Sequence, residues 1–520
     1  MTSATAPDQS QAAVVWRQFR KRKLAVFCAG VIVFLVTISI WAPFLAHDRP
    51  LYYRGVNRFE FREAVRTLRE VAGRLPVTPP GATASLTDEK QSKTLWTAIR
   101  LQQRQIHAVL PTAKRPWFDQ WINDARAAQT DAAGAAKLKE LQRTLRKELG
   151  GNDIVIESQA RFPVLASLVW SDVFFLVWSI VLLSFPLWTR LVHRTIPEER
   201  HRRRWWTEFT VWWIVPATAA VIWWSIVPVR IDRTNYKQGV LAEEESSATA
   251  LVVYETVMWP PVAYAIDEDN LAWKNAAPAL FHTETDRPAL GKWDGPHWLG
   301  TDELGRDVLC RMLWGGRVSL SVGIVAVVIY VAIGIIVGAL AGYYRGVIDL
   351  FVSRVIEVVI CFPAFFLILT IVAFIGPSLL NIMVVIGLTG WTGIARLVRG
   401  EFLRLVDQEF VLAGKALGYS PARLIFRHVL PNALAPVLVS ATFGVAGAIL
   451  TESALSFLGL GISVPTPSWG GILSSGREAI FRAPWMIWFP GLAIFVTITC
   501  YNLVGEALRD ASDPRLRGSR

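Results

Sequence analysis

The sequence has few charged and few reactive side chains. Charged residues make up 18% of its 520 positions, and it holds only 4 Cys and 7 His. So few cysteines give no disulfide framework, and the chain has neither an H-E-x-x-H motif nor a Cys/His cluster of the kind that binds zinc. It also lacks the G-x-x-x-x-G-K-[ST] loop that cradles phosphates in ATPases. These absences predict a chain that is not an enzyme, holds no metal or cofactor and does not itself bind ATP.

Long apolar runs take the place of those features. Hydrophobic residues account for 52% of the chain, and 23 residues are Trp, which is more than a soluble protein of this length would carry. About eight runs reach the roughly 20 residues that a helix needs to cross a bilayer. These runs cover 24–46, 164–188, 208–229, 317–342, 356–376, 379–397, 432–456 and 485–505. The predicted fold class is all-α, a polytopic membrane helix bundle with a helical extracytoplasmic insert.

The distribution of basic residues predicts the orientation of the chain. A net charge of +12 could indicate nucleic acid, but the arginines cluster at the ends of apolar runs, as the positive-inside rule expects. Residues 17–23 are basic, and every even crossing returns to a basic loop. The first apolar run exceeds the roughly 7–15 residues of a signal-peptide core, so we expect an uncleaved span. We predict a multi-pass protein of the plasma (inner) membrane that contacts lipid, with both termini cytoplasmic and no nucleic-acid partner.

The apolar runs and the segments between them predict the domain organisation. Within the first long polar segment, Phe61, Val65, Leu68 and Leu75 repeat at helical spacing, which indicates a small helical domain. The predicted segments are the cytoplasmic N-terminus with the first span (1–46), an extracytoplasmic helical domain (47–163), two extra spans with a basic cytoplasmic loop (164–229), a second extracytoplasmic segment (230–316), the core (317–508) and a cytoplasmic tail (509–520).

A basic, amphipathic segment lies between two late spans. It reads E-F-V-L-A-G-K-A-L-G-Y-S-P-A-R-L-I-F-R-H-V-L-P-N over residues 409–432. Its pattern predicts a helical run, a stop at Gly418, a restart at Ser420-Pro421 and a break at Leu430-Pro431 before the next span. This is the build of a short docking helix on the face of a membrane protein.

Three motifs in sequence order resemble the C-type permease subunit of the dipeptide, oligopeptide and nickel ABC importers. Residues 297–311 read H-W-L-G-T-D-E-L-G-R-D-V-L-C-R, residues 409–432 match the family's coupling loop, and residues 452–461 read E-S-A-L-S-F-L-G-L-G. The resemblance covers roughly 290–517 and the first span, whereas 47–230 does not fit the family pattern. Three positions of the coupling loop depart from that pattern: Leu412 stands for Glu, Gly414 for Ala and His428 for Ile.

The resemblance implies a type I ABC importer permease core, ATP bound by partner subunits, and alternating access as the mechanism. It also implies the partners: a homologous permease subunit, two cytoplasmic ABC ATPase subunits and an extracytoplasmic solute-binding protein. The implied ATPase-coupling residues are Ala413, Gly414, Lys415, Ala416, Leu417, Gly418, Tyr419, Ser420, Pro421, Leu430 and Pro431. The alternative for this segment is an amphipathic helix that lies on lipid.

Two further sites are candidates for function. Glu452 lies in an otherwise uncharged span, and an ionisable residue at membrane depth is a candidate for the translocation path, with a helix-end pairing as the alternative. Asp302, Arg306, Asp307 and Arg311 alternate in sign on the predicted outer face. They favour a structural clasp at the entrance to the fourth span over a contact with the solute-binding protein.

The predicted function is the transmembrane permease subunit of an ATP-driven importer for peptides. One alternative is a permease of the same family for nickel or another small solute. An alternative of another class is a non-transporting membrane scaffold or sensor whose outer domain binds a ligand.

The predicted topology can be tested at Ser85, which lies in the predicted extracytoplasmic domain. A cysteine placed there should react with a membrane-impermeant thiol reagent in intact cells, because this domain follows a span that starts from a basic cytoplasmic N-terminus. Labelling that requires lysis would place residues 47–163 in the cytoplasm.

Overall fold

The computed structural model describes residues 11–77, 86–151, 155–195, 201–227, 232–279, 291–462 and 465–512. Most of these residues are helical. The helices up to residue 226 are α1 (Gln11–Lys21), α2 (Lys23–Ile40), α3 (Ala42–Leu45), α4 (Arg58–Ala72), α5 (Leu86–Val109), α6 (Arg115–Ala127), α7 (Gly134–Leu149), α8 (Pro163–Ser167), α9 (Trp170–Leu183), α10 (Phe185–Thr195), α11 (His201–Phe209) and α12 (Val215–Ile226). The later helices are α13 (Val308–Tyr344), α14 (Gly346–Cys361), α15 (Ala364–Ile375), α16 (Leu379–Leu405), α17 (Glu409–Ala416), α18 (Pro421–Arg423), α19 (Leu430–Phe457), α20 (Trp469–Glu478) and α21 (Trp485–Ser512).

The helices long and apolar enough to cross a membrane match the predicted spans. Within the described ranges there are 6 of them: Lys23–Ile40, Arg203–Ile226, Val308–Tyr344, Leu379–Leu405, Pro421–Phe457 and Trp485–Ser512. Two bent pairs bring the number to 8 if each pair is one span, α9 with the first part of α10 (68°) and α14 with α15 (80°). The predicted span over 356–376 is therefore helical but bent. It breaks at Phe362, because the residue before a proline, here Pro363, is sterically driven out of the helical conformation.

The described residues fall into two compact units. The core unit is drawn from 1–42, 264–290 and 296–520, and the insert unit from 43–263 and 291–295. This division differs from the predicted boundaries, which separate 47–163, 164–229 and 230–316. Contacts between distant parts of the chain, rather than composition, define the insert unit.

In the core unit, α13 and α16 pack closely through glycines. A Cβ atom added at Gly334 would lie 2.6 Å from Cβ of Ile394, and one added at Gly338 would lie 2.5 Å from the carbonyl oxygen of Ala395. Gly334 and Gly338, four residues apart, thus lie in a close-packed helix interface, as expected in lipid. A substitution of Gly334, even by alanine, would push the two helices apart.

Residues 409–432, which we call the coupling segment after the resemblance given above, run into α19 without the predicted break. Residues 424–429 form a π-helical turn, and Pro431 sits in the first turn of α19. The break expected at Leu430-Pro431 is therefore wrong. The wider turn accommodates a proline that lacks an N–H for the helical hydrogen-bond ladder.

The insert unit combines a helical core with a small sheet. The predicted apolar stripe of α4 is buried together with side chains of α5, α6 and α7, including Ile106, Phe118 and Leu145. The sheet was not predicted. Its strands are β1 (Tyr52–Asn57), β2 (Gln159–Arg161), β3 (Val240–Leu241) and β4 (Val252–Met258), in the order β2-β1-β4-β3. Strands β2 and β4 flank β1 in antiparallel pairings, and β3 pairs parallel to β4.

The labelling position Ser85 lies outside the described residues. Ala135, near the start of α7, is an exposed position of the same helical core and suits the same labelling experiment. Cys361 is exposed, whereas Cys28, Cys310 and Cys500 are buried, so a Cys361→Ser background would remove the exposed native thiol among the four.

Candidate functional site

The coupling segment has the predicted helix, glycine turn and restart. Helix α17 ends in a turn in which Tyr419 N–H donates to the carbonyl oxygen of Gly414 (3.1 Å) and Gly418 N–H donates to that of Lys415 (3.0 Å). Gly418 has φ +72°, the left-handed conformation that this C-terminal motif requires. The Ser420 hydroxyl then accepts from Arg423 N–H and caps α18, and Pro421 occupies its first turn.

This segment is anchored on one face and exposed on the other. Val411 and Leu424 are 0% and 1% exposed within the main core of the unit. In the same segment, Phe410, Leu417 and Phe426 are 44%, 71% and 68% exposed. We call these three exposed apolar side chains the ridge. Val411 and Leu424 therefore hold the segment against the core.

Two departures from the family pattern surround Tyr419. The His428 ring stacks on Tyr419 at a centroid distance of 5.6 Å, and the Arg423 guanidinium lies 4.0 Å from the Tyr419 ring centroid. A Cβ atom at Gly414 would be 3.3 Å from Cδ2 of Tyr419 and 2.8 Å from Cδ2 of Leu424. Gly414 and His428 therefore form the slot that holds this tyrosine. The third departure, Leu412, is 49% exposed and enlarges the apolar outer surface.

An ion pair not singled out from the sequence joins the chain just before the coupling segment to the turn after α13. Arg345, between α13 and α14, has φ +56°, which is unusual for a residue other than glycine. Its Nη2 donates to the carbonyl oxygen of Leu403 (3.0 Å) and to Oδ2 of Asp407 (2.6 Å). The hydrogen bond from Arg345 lowers the pKa of the Asp407 carboxyl below its ordinary value. An arginine in a sequence gives no sign that its φ will be positive. The contact between Arg345 and Asp407 is therefore visible only in the structure.

The four charged residues of the predicted clasp are buried and bonded. Asp302 accepts from Nε of Arg306 (2.7 Å), and Nη1 of Arg311 lies 3.8 Å from the same carboxylate oxygen. Asp307 pairs with neither arginine. Its Oδ1 accepts from Cys310 N–H (2.6 Å) and caps α13, and its Oδ2 lies 2.8 Å from Nδ1 of His297.

The burial of this cluster favours the structural interpretation over contact with a partner. Asp302, Arg306, Asp307 and Arg311 are at most 7% exposed. The partner that sequence reasoning missed is His297, which is stacked on Tyr264 at 4.4 Å. The sequence offered one clue to this residue, because His297 begins the motif of residues 297–311.

Glu452 is completely buried among hydroxyl groups. Ser319 Oγ on α13 donates to Glu452 Oε2 (3.1 Å), and Ser456 Oγ donates to Oε1 (2.8 Å). Ser319 Oγ also accepts from Trp469 N–H at the start of α20 (3.1 Å). The carboxylate thus joins three helices, and its 0% exposure favours pairing over a place on an open solute path.

Substitution of Glu452 tests this packing role. Glu452→Ala would leave a cavity and unpaired buried hydroxyls, so we expect a loss of about 2–4 kcal/mol in stability, seen as a lower midpoint in thermal unfolding of the purified protein. Glu452→Gln should lose less, because an amide oxygen can still accept a hydrogen bond. The control is Thr451→Ala, since Thr451 bonds only within its own helix, to the carbonyl oxygen of Gly447. Equal midpoints for Glu452→Ala and Thr451→Ala would contradict the role.

Two family profiles match the chain at its two ends. The family described as "binding-protein-dependent transport system inner membrane component" matches residues 334–518, and that described as "N-terminal TM domain of oligopeptide transport permease C" matches residues 10–58. Residues 59–333 lie outside both profiles. The matched regions contain the coupling segment and Glu452, but not the clasp.

Curated relatives agree with the profiles. The chain is 44% identical over 221 residues to a dipeptide transport system permease protein of Alkalihalophilus pseudofirmus, which covers 42% of this chain and 73% of the relative. It is 40% identical over 221 residues to an oligopeptide transport system permease protein of Bacillus subtilis, with 42% and 72% covered. It is 39% identical over 227 residues to a glutathione transport system permease protein of Pectobacterium atrosepticum, with 43% and 75% covered. The chain therefore belongs to the binding-protein-dependent inner-membrane components of ABC importers, in the branch of the dipeptide and oligopeptide C-type permeases.

Proposed function

We propose that this permease moves short peptides across the inner membrane, driven by ATP hydrolysis in partner subunits that dock on residues 409–431. Its relatives are named for dipeptide, oligopeptide and glutathione transport, and these solutes share a peptide backbone. The observation that carries the docking proposal is the ridge, because an apolar helical surface with nearby charges suits a groove in a partner protein.

The shape of the coupling segment favours a protein groove over a lipid surface. Helix α17 has 8 residues, and after the tight turn at Gly418 the chain enters the continuous helix Pro421–Phe457. A helix that lies in the membrane interface presents one apolar face along its length, and this turn interrupts such a face. The buried anchors Val411 and Leu424 also fix the ridge to the core, which a lipid-adsorbed helix does not require.

The Arg345–Asp407 pair supports transmission of force from the ATPase. It links the turn after α13 to the chain just before α17, so movement of the coupling segment would carry α13 with it. Alternating access requires such concerted displacement of helices around a central path. The proposed assembly contains this permease, a homologous permease, two cytoplasmic ATPases, an external solute-binding protein and surrounding lipid, with both termini of this chain in the cytoplasm.

Substitution of Gly418 tests the docking surface. In Gly418→Val, a β-branched residue at φ +72° costs about 1–2 kcal/mol and adds bulk beside the ridge. We expect the protein to remain in the membrane while ATPase co-purification falls about tenfold or ATP hydrolysis uncouples from uptake. Both are measurable in a reconstituted complex.

The matched control is Gly459→Val at the other end of α19. Gly459 has φ +82°, open space around its Cβ position and the same turn, with Leu460 N–H donating to the carbonyl oxygen of Leu455 (3.0 Å). Gly459→Val therefore introduces the same backbone strain at a position outside the proposed docking surface. Normal ATPase binding and wild-type uptake in Gly418→Val would refute docking by this segment, and equal loss in both variants would attribute the effect to strain alone.

Uptake by the assembled complex tests the solute class. Proteoliposomes with the permease pair, ATPases and binding protein should accumulate labelled trialanine only with ATP inside the ATPase-bearing compartment. Accumulation of Ni²⁺ but not trialanine would reassign the solute, and accumulation of neither would favour a non-transporting role.

A further inference from the structure

A cleft of about 490 Å³ with several charged side chains in its lining lies wholly within the insert unit, outside the part of the chain that resembles other permeases apart from its edge at Arg49. Its walls come from α4, α5, β2, α8 and residues 232–236. This volume lies in the range of about 300–1,000 Å³ typical of small-ligand sites. Phe59, Glu63 and Thr67 recur every fourth residue and line the cleft from one face of α4.

Some charges in the cleft are neutralised by the protein itself. Arg161 forms an ion pair with Glu60, and both side chains are less than one-third exposed. The Asp232 carboxylate is hydrogen-bonded but keeps its charge, because Oδ2 accepts from the Tyr236 hydroxyl (2.7 Å) and Oδ1 accepts from Thr234 N–H (2.9 Å), which are neutral donors. These groups form the fixed frame of the cleft.

Three other charged groups in the lining, Arg49, Glu63 and Arg233, form no ion pair with another described residue. Arg49 donates from Nη2 to the backbone carbonyl oxygen of Asp232 (3.0 Å), which is a neutral acceptor. Within the described part of the chain, no ion pair is formed by Glu63 or by Arg233, although both line the cleft. Besides the hydrogen-bonded carboxylate of Asp232, the cleft thus presents two guanidinium groups and the carboxylate of Glu63 to one open volume.

We propose that this cleft is a binding site for short zwitterionic peptides. The guanidinium groups of Arg49 and Arg233 receive the terminal carboxylate, since charge-assisted pairs of this type are strong and directional. Glu63 receives the terminal ammonium group, and the apolar side chains of Phe59 and Leu101 contact the peptide between its ends. The choice of a peptide among zwitterions rests on the proposed function, whereas the pairing of charges rests on the cleft alone.

Calorimetric titration of the full-length permease in lipid nanodiscs, without its partners, tests the site. Trialanine should bind, and N-acetyl-trialanine amide, which lacks both terminal charges, should not. Glu63→Gln and Arg233→Gln should each weaken trialanine binding about tenfold, because each removes a charged hydrogen-bond partner. Both side chains are exposed, so folding should be unaffected.

The controls are Glu70→Gln and Arg74→Gln. They remove the same charges at exposed positions near the end of α4 that do not line the cleft. They should bind trialanine as the wild type does. The site is overturned if the wild type fails to bind trialanine, if the blocked peptide binds equally well, or if Glu63→Gln and Arg233→Gln match their controls.

Uptake in the reconstituted complex separates this proposal from the proposed function. Import of trialanine without calorimetric binding to the nanodisc permease overturns the cleft and leaves peptide import intact. Binding that depends on Glu63 and Arg233 without import supports the cleft and overturns peptide import.

Discussion

The core unit depends on a carboxylate that has been removed completely from water. At membrane depth a polar group finds no solvent, so each one must be bonded within the protein. Glu452 meets this requirement through Ser319 and Ser456, and Ser319 in turn holds the first backbone N–H of α20. One side chain thereby fixes the relative positions of α13, α19 and α20. The small residues around it follow from this constraint, since helices must approach closely for such short hydroxyl side chains to reach.

At the coupling segment, ring and guanidinium contacts take the place of the hydrogen bonds found around Glu452. Tyr419 is held there by contacts with Gly414, Arg423 and His428. Gly414 and His428, two departures from the family pattern, depend on each other. A side chain at position 414 would press on the Tyr419 ring, on which His428 stacks. They describe a local repacking of the segment beneath an exposed ridge, and the helix–turn–helix geometry of the segment is retained.

Helices could be predicted from the sequence where the residue pattern that indicates them lies within a single helix or turn. The apolar runs located the spans, and the glycine and Ser-Pro signals of 418–421 located the turn of the coupling segment. Features formed by distant residues were not predictable. Strand β1 pairs with β4 about two hundred residues later along the chain, and β2 has 3 residues, too few for a recognisable alternation. Likewise, the sign alternation of 302–311 indicated a clasp, but it could not show that Asp307 pairs with His297 instead of an arginine.

The sheet has an architectural consequence for the insert unit. The chain enters beside the point where it leaves, since Ala46 forms a β-bridge with Val262 and β1 lies against β4. The insert unit is thus a long insertion whose first and last segments are paired with each other at its base. Removal of the insertion would require only a short connection between these paired ends. The insertion could therefore be gained or lost in evolution while the helices before and after it keep their order. Such pairing offers a physical route by which a transporter can acquire a domain that its shorter relatives do not have.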